Sequence, residues 1–287
     1  MKLALGTVQF GLTYGAFNRA GQVPVTEVRQ ILDLARISGV NTLDTAYAYG
    51  NSESVLGEVG AGGHFHIVTK VPALSASEPA AELRTLFSQS LQRLNVNSVH
   101  GLLLHRAADL LGSNGPAIWR QLEELRDGGL VGRIGFSAYG PEEAQALLQR
   151  YPVQLIQLPV SVFDTRHLDS GVLDYCQSKN IEVHVRSAFL QGFALADPKH
   201  LNGHLATWAN LLERFRGLCC DLRITPLEAA LRYATNLSQV NHVVVGVDSR
   251  EQLVEILKAT NSQALSSTDF TNLACNDLNL IDPSRWK

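Results

Sequence analysis

Chemistry in this chain concentrates first in Asn41-Thr42-Leu43-Asp44-Thr45-Ala46-Tyr47-Ala48-Tyr49-Gly50, followed by Asn51-Ser52-Glu53. A short apolar run ends in a carboxylate, and a phenol follows five residues later in a turn that closes on glycine. A strand end fixes Asp44 while the turn brings Tyr49 back over the same mouth, so two titratable groups converge. Two further apolar runs, Phe65–Lys70 and Leu102–His105, each end in a basic residue, and burial of such a residue calls for pairing. A tyrosine with its ordinary pKa of about 10 is a poor acid at neutral pH; an adjacent ammonium favours the phenolate and lowers that pKa, and a carboxylate paired with the ammonium holds it in place. Tyr49, Lys70 and Asp44 fit those three roles. A neutral His105 would orient a substrate carbonyl beside the phenol, where proton donation contributes about 10²–10⁴ in rate. Taken singly, these residues also fit a strand end beside a surface tyrosine, a solvated lysine and one of nine histidines. The sequence contains no HExxH, no GxSxG and no carboxylate cluster, and so no motif for a metal or a nucleophile.

The elements that must position these groups alternate along the chain. Strand-like Leu3–Thr7 is followed by a helix from about Thr26, with Val28, Ile31, Leu32 and Ala35 on one stripe and Gly39 as its stop. Strand Asn41–Ala46 precedes a short helix at Ser52–Val59, and strand Phe65–Val71 precedes helix Glu78–Leu94. Strand Gly101–His105 leads to a helix ended by Gly128-Gly129, and strand Arg133–Ser137 to one started by Pro141. Strand Val153–Pro159, helix Gly171–Lys179 and strand Glu182–Ser187 continue the series. An insertion, Asp197–Leu222, comes before the seventh main helix, which Thr225-Pro226 opens as N-cap and first residue. Strand His242–Val247 and helix Arg250–Thr260 complete eight strand-then-helix units. Strands that are apolar throughout and alternate with helices predict an α/β (β/α)8 TIM barrel, a single domain over 1–287, instead of a doubly wound sheet, for which no GxGxxG follows a strand. In such a barrel Asp44, Lys70, His105, Ser137, Gln157 and Arg186 all come to one mouth. A C-terminal helical extension from Ser267, with Phe270, Leu273, Ala274 and Leu278 on a stripe, docks across the outside.

Composition sets the outer bounds. With 45% hydrophobic and 18% charged residues and a net charge of -3, the chain is globular and offers no electrostatic case for nucleic acid or membrane. At 287 residues one domain buries roughly three quarters of its unfolded surface. Met1-Lys2-Leu3 runs directly into a strand instead of a signal peptide, and Cys176, Cys219, Cys220 and Cys275 show no metal or CxxC spacing, which predicts free thiols and a cytoplasmic protein. Nothing in these patterns assigns an oligomeric state.

The ensemble resembles the aldo-keto reductases, (β/α)8 barrels that reduce carbonyls with NADPH or sometimes NADH through an Asp, Tyr, Lys and His tetrad. Leu5-Gly6-Thr7, Leu43-Asp44-Thr45-Ala46 with Tyr49-Gly50 and Ser52-Glu53, Thr69-Lys70 and Leu104-His105 carry that resemblance over nearly the whole chain. It implies catalytic roles for Asp44, Tyr49, Lys70 and His105. It also implies that Gly6 and Thr7 lie near the nicotinamide, that Ser137 and Gln157 hold its carboxamide, and that Ser187, Leu190 and Gly192 line the pyrophosphate. Gly246, Val247, Asp248, Ser249, Arg250 and Gln252 would clasp the adenosine end. Three positions depart from the family's habit: Ala138 follows Ser137 where an Asn is common, Arg186 stands where many members place an aromatic residue, and Ile256 replaces an Asn near the adenine. Arg250 with Ser249 suits the 2′-phosphate of NADPH, whereas Asp248 would suit a ribose hydroxyl of NADH; NADPH is the expectation, with NADH possible. Arg186 is expected to stack on the nicotinamide, or else to bind a substrate anion.

The implied activity is reduction of small-molecule aldehydes or ketones, with Tyr49 donating the proton. The rival readings are a barrel lyase forming a Schiff base through Lys70, and a cofactor-binding sensor or regulatory subunit. Phe10, Tyr14, Tyr47, Phe189, Trp208 and Trp286 are the aromatic residues available to a substrate pocket.

Overall fold

Short β-branched and leucine-rich runs form the strands Leu3–Gly6 (β1), Thr42–Asp44 (β2), His66–Val71 (β3), Val99–Leu104 (β4), Val131–Ser137 (β5), Leu155–Pro159 (β6), Glu182–Arg186 (β7) and His242–Gly246 (β8). In the computed structural model, which describes residues 1–18, 20–75, 77–260 and 267–286, they pair in sequence order and in parallel, and β8 closes on β1. The main helices are Val25–Ile37 (α1), Ser52–Glu58 (α2), Pro79–Leu94 (α3), Gly115–Asp127 (α4), Pro141–Arg150 (α5), Val172–Ser178 (α6), Pro226–Asn236 (α7) and Arg250–Thr260 (α8). The (β/α)8 expectation holds, and strand ends shift by one or two residues.

Two layers of apolar packing follow from the parallel pleat. Residues such as Leu102, Leu104, Ile134, Phe136, Val183 and Val185 point outward and join the helices' stripes in the large core. Val68, Leu103 and Leu155 form a separate cluster that plugs the barrel's interior. Local signals act where the sequence places them. The Thr225 hydroxyl accepts from the Glu228 amide at 3.2 Å while the Glu228 carboxylate accepts from the Thr225 amide at 2.8 Å, a reciprocal cap on α7.

Two expectations change, and the insertion gains detail. A separate helical turn, Arg166–Asp169, precedes α6 because Gly171 adopts a left-handed φ of 76° between them. The insertion contains 3-10 turns and a helix at Ala209–Asp221. The C-terminal segment is a 3-10 run at Ser267–Leu273 and a short helix at Leu278–Ile281, so the continuous stripe breaks: Phe270 and Leu273 are buried but Ala274 is exposed. No helix among the described residues is long and apolar enough to cross a membrane.

Candidate active site

Hydroxyl groups at the ends of β1 and β2 hold the mouth together. The Thr7 amide and hydroxyl both donate to the Asp44 carbonyl at 3.0 Å. Ser52, at the start of α2, donates to the Thr7 carbonyl at 2.8 Å and lies 3.2 Å from the Thr45 hydroxyl. Glu53, buried beside it, accepts from Thr69 at 2.6 Å and pairs with Arg93 at 3.4 Å, which fixes β3 next to Lys70. The turn between β2 and α2 lies against the turn after β1. Gly50 has a φ of 58° there, and a Cβ on Gly11 would run into the Tyr49 carbonyl and the Ser52 amide. The Ser-Glu pair and the glycine of the motif therefore aim Asp44 and Tyr49 without entering the chemistry themselves.

Three of the four tetrad candidates meet at one ammonium. Lys70 Nζ, with no exposed surface, lies 2.7 Å from Asp44 Oδ2, 2.8 Å from the Thr45 carbonyl and 3.5 Å from the Tyr49 hydroxyl, one oxygen for each of its three protons. The other Asp44 oxygen accepts from Gln157 Nε2 at 2.6 Å, so the buried carboxylate is satisfied on both sides. His105 packs edge-on against the Tyr49 ring at 5.7 Å. Burial, and next the Lys70 charge, hold the imidazole down to about 4, so it is neutral at physiological pH as expected. Burial also lowers Lys70, against which Asp44 acts to keep the ammonium.

Tyr49 departs from expectation. Burial first, and the Asp44 carboxylate second, raise it above the ordinary phenol value, with Arg186 opposing. The carboxylate that holds Lys70 offsets its field, and desolvation then governs the phenol. Tyr49 is a protonated donor held in place, not a pre-formed phenolate.

A cleft of about 720 Å³ opens over these groups, and Asp44, Tyr49, Gln157 and Arg186 wall it. Lys70 and His105 are not part of that wall. Of the residues expected to hold a cofactor, Gly6, Thr7, Ser187, Gly192, Gly246, Asp248 and Gln252 line the cleft; Ser137, Leu190, Val247, Ser249 and Arg250 do not. Arg250 is exposed, and its amide donates to Glu27 at 2.7 Å. The loop after β7 is strained: Ser187, Leu190 and Gln191 have φ of 64°, 47° and 51°, and Gly192 has 98°. The Leu190 and Gly192 amides donate to the Ser187 and Phe189 carbonyls at 2.9 Å, which holds that conformation, and Ser187, Gln191 and Gly192 line the cleft.

Several wall residues carry no sequence signal: Phe17 and Asn18 come from the loop after β1, Gln191 from the turns after β7, and Arg216 from the insertion helix. Asn18 donates to Asp248 at 3.1 Å and Gln191 to Tyr14 at 3.2 Å, so the loop after β1 is tied to those after β7 and β8. Tyr14 and Phe189 wall the cleft as expected. Tyr47 does not: its hydroxyl donates to Gln89 at 2.7 Å and Arg93 covers its ring. Phe10 is core, and Trp286 packs against His204 and donates to the Leu280 carbonyl. Trp208 also lies against His204, away from the cleft wall. The Arg186 guanidinium lies 4.3 Å from the Tyr139 ring, so one of its faces is already stacked.

Residues 2–275 match the sequence model of the aldo/keto reductase family. The chain belongs to that family. It is therefore an oxidoreductase acting on carbonyl groups, and members of the family use nicotinamide cofactors. Among solved structures it is similar to the holo form of the aldo-keto reductase AKR11C1 from Bacillus halodurans, with a TM-score of 0.78 and 21% identity over 99% of this chain and 95% of that one. It is also similar to the glycerol dehydrogenase AKR11B4 from Gluconobacter oxydans, with a TM-score of 0.71 and 21% identity over 98% and 92% of the two chains. At these identities the likeness is one of fold. No protein of curated function matches the chain in sequence.

Proposed function

We propose that this reductase converts aldehyde or ketone groups on small molecules to alcohols, with NADPH as the hydride source and Tyr49 as the proton donor. The observation that carries this reading is the Lys70 ammonium, shared among Asp44, Thr45 and Tyr49 at the base of an open cleft. When bound, the cofactor supplies the hydride. Ser187, Gln191 and Gly192 offer its pyrophosphate a polar stretch of the cleft wall, and Gly6, Thr7 and Gln157 line the same cleft as Tyr49, where the nicotinamide would lie.

As negative charge develops on the carbonyl oxygen, the Tyr49 phenol transfers its proton to it, and the phenolate left behind faces the Lys70 ammonium. His105, neutral and edge-on to the same ring, is placed to hydrogen-bond the carbonyl oxygen and orient it. The raised pKa of Tyr49 keeps that proton in place until the alkoxide forms.

The NADPH reading moves from Arg250 to Arg216, a cation of the cleft wall whose Nε donates to the Ala196 carbonyl at 3.3 Å, with Asp248 and Glu255 as opposing carboxylates in the same wall. A Schiff base at Lys70 is disfavoured, since all three ammonium protons are committed and the side chain has no exposed surface. Arg186, already stacked on Tyr139, is better suited to a substrate anion than to covering the nicotinamide.

The test is a panel of aldehydes, ketones and sugars with each cofactor, following the loss of reduced nicotinamide. Turnover with NADPH ahead of NADH supports the reading. Tight NADPH binding with no turnover of any carbonyl would favour a cofactor-binding regulatory subunit.

A further inference from the structure

At the opposite end of the barrel, where the strands begin, a second polar cluster sits inside the sheet. His184 in β7 and His242 in β8 are register partners in a parallel pair, so their side chains leave the same face side by side. Glu182, two residues before His184, leaves that face as well. The result is a triangle: His184 Nε2 lies 2.8 Å from Glu182 Oε1, the two imidazole rings are 4.8 Å apart, and the ligand atoms of all three residues lie within 4.8 Å of one another. His100 Nε2 stands 3.1 Å from both Glu182 oxygens as a fourth donor.

We infer that Glu182, His184 and His242, with His100 beside them, form a binding site for a single borderline divalent cation of the zinc, cobalt or nickel class. Two imidazoles and one carboxylate match that class; magnesium and calcium take oxygen donors. Ligand bonds of about 2.0–2.2 Å put neighbouring donors roughly 3.4 Å apart, close to where His184 and Glu182 stand at 2.8 Å, and the widest separation, up to 4.8 Å, closes by roughly 1.4 Å.

The orphaned nitrogens are the independent observation. Nδ1 of the fully buried His184 and Nδ1 of His242 are both without a hydrogen-bond partner, a loss that a metal bond or a ligand-orienting contact would remove. The charges facing the site are few. Arg133 takes Glu182 Oε2 at 2.7 Å from its half-exposed position and competes with a cation for that oxygen. His66 packs on His100 at 5.3 Å. Val68, Leu103 and Leu155 separate the cluster from the mouth, so the ion is a staple for the β7–β8 seam, which has two register pairs, and takes no part in reduction.

The test uses full-length protein stripped with a chelator and titrated with zinc by calorimetry, with thermal unfolding followed alongside. One ion per chain and a raised unfolding midpoint are expected. His242→Gln, at a partly exposed position, should weaken zinc at least about tenfold, while Arg133→Gln should strengthen it several-fold by freeing the carboxylate. Cys220→Ser, which removes an exposed thiol elsewhere, should change nothing. Turnover with a carbonyl and NADPH should be the same with and without zinc, which keeps this result separate from the reductase reading. Absence of stoichiometric binding by the wild type, or equal affinity in His242→Gln, would overturn the inference.

Discussion

The mouth and the floor of this barrel are both polar layers inside an apolar tube, yet they are finished differently. At the mouth the buried ion pair is fully satisfied: Asp44 takes Lys70 on one oxygen and Gln157 on the other, and the ammonium has three acceptors. At the floor Glu182 is crowded with donors while His184 and His242 each keep an unpartnered nitrogen. A satisfied network specifies one geometry and is ready before substrate arrives. An unsatisfied one signals a missing participant.

Lys70→Met breaks the comparison most severely. It leaves the Asp44 carboxylate buried without its cation, which costs about 3–5 kcal/mol of stability, and it removes the charge facing the Tyr49 phenolate. Carbonyl reduction should be abolished and the unfolding midpoint should drop. The paired Asp44→Asn/Lys70→Met variant should recover much of the stability and none of the turnover. Recovered turnover would mean the ammonium has no part in the chemistry.

The two layers also differ in how far the sequence reveals them. Asp44, Tyr49, Ser52 and Glu53 lie in one short stretch, and Lys70 and His105 end apolar runs, so alternation and local motif together expose the mouth. Whether Tyr47 or Tyr49 turns inward depends on Gln89 and Arg93 in α3, far along the chain. The floor's donors are scattered over β4, β7 and β8, and only strand register assembles them. Arg216 was illegible for another reason, since it belongs to an insertion whose docking no periodicity encodes. Arg250 opens a helix, which suits an anion, and it is exposed and outside the cleft wall.

Acid sharpens the contrast at the floor. His242 and, in the helical turn after β6, His167 are both held down to about 4 by burial, below the ordinary value of about 6.5. A group depressed in the folded state is protonated first in the unfolded chain, so stability is full above pH ~6.5 and falls as pH drops toward 4. Denaturant unfolding should show that decline without metal, and His242→Gln should make it shallower. A decline of the same slope in the variant would remove His242 from the account.

A smaller effect is expected where the cleft meets the adenosine end. Arg216→Ala should weaken NADPH roughly tenfold and NADH little, since a guanidinium–phosphate contact contributes about 1.5–3 kcal/mol where it forms. Arg250→Ala should leave both dissociation constants nearly unchanged. The reverse pattern would return the 2′-phosphate to the start of α8.

The most direct measurement is a pre-steady-state comparison of Tyr49→Phe with Tyr47→Phe, each saturated with NADPH and mixed with the best carbonyl substrate. Both variants keep the ring, and both should bind cofactor as the wild type does. Hydride transfer should slow by about 10²–10⁴ in Tyr49→Phe, which has lost the acid, and stay near wild type in Tyr47→Phe, whose hydroxyl is spent on Gln89. A fast Tyr49→Phe would contradict the assignment of the proton donor, all the more if Tyr47→Phe were the slow one.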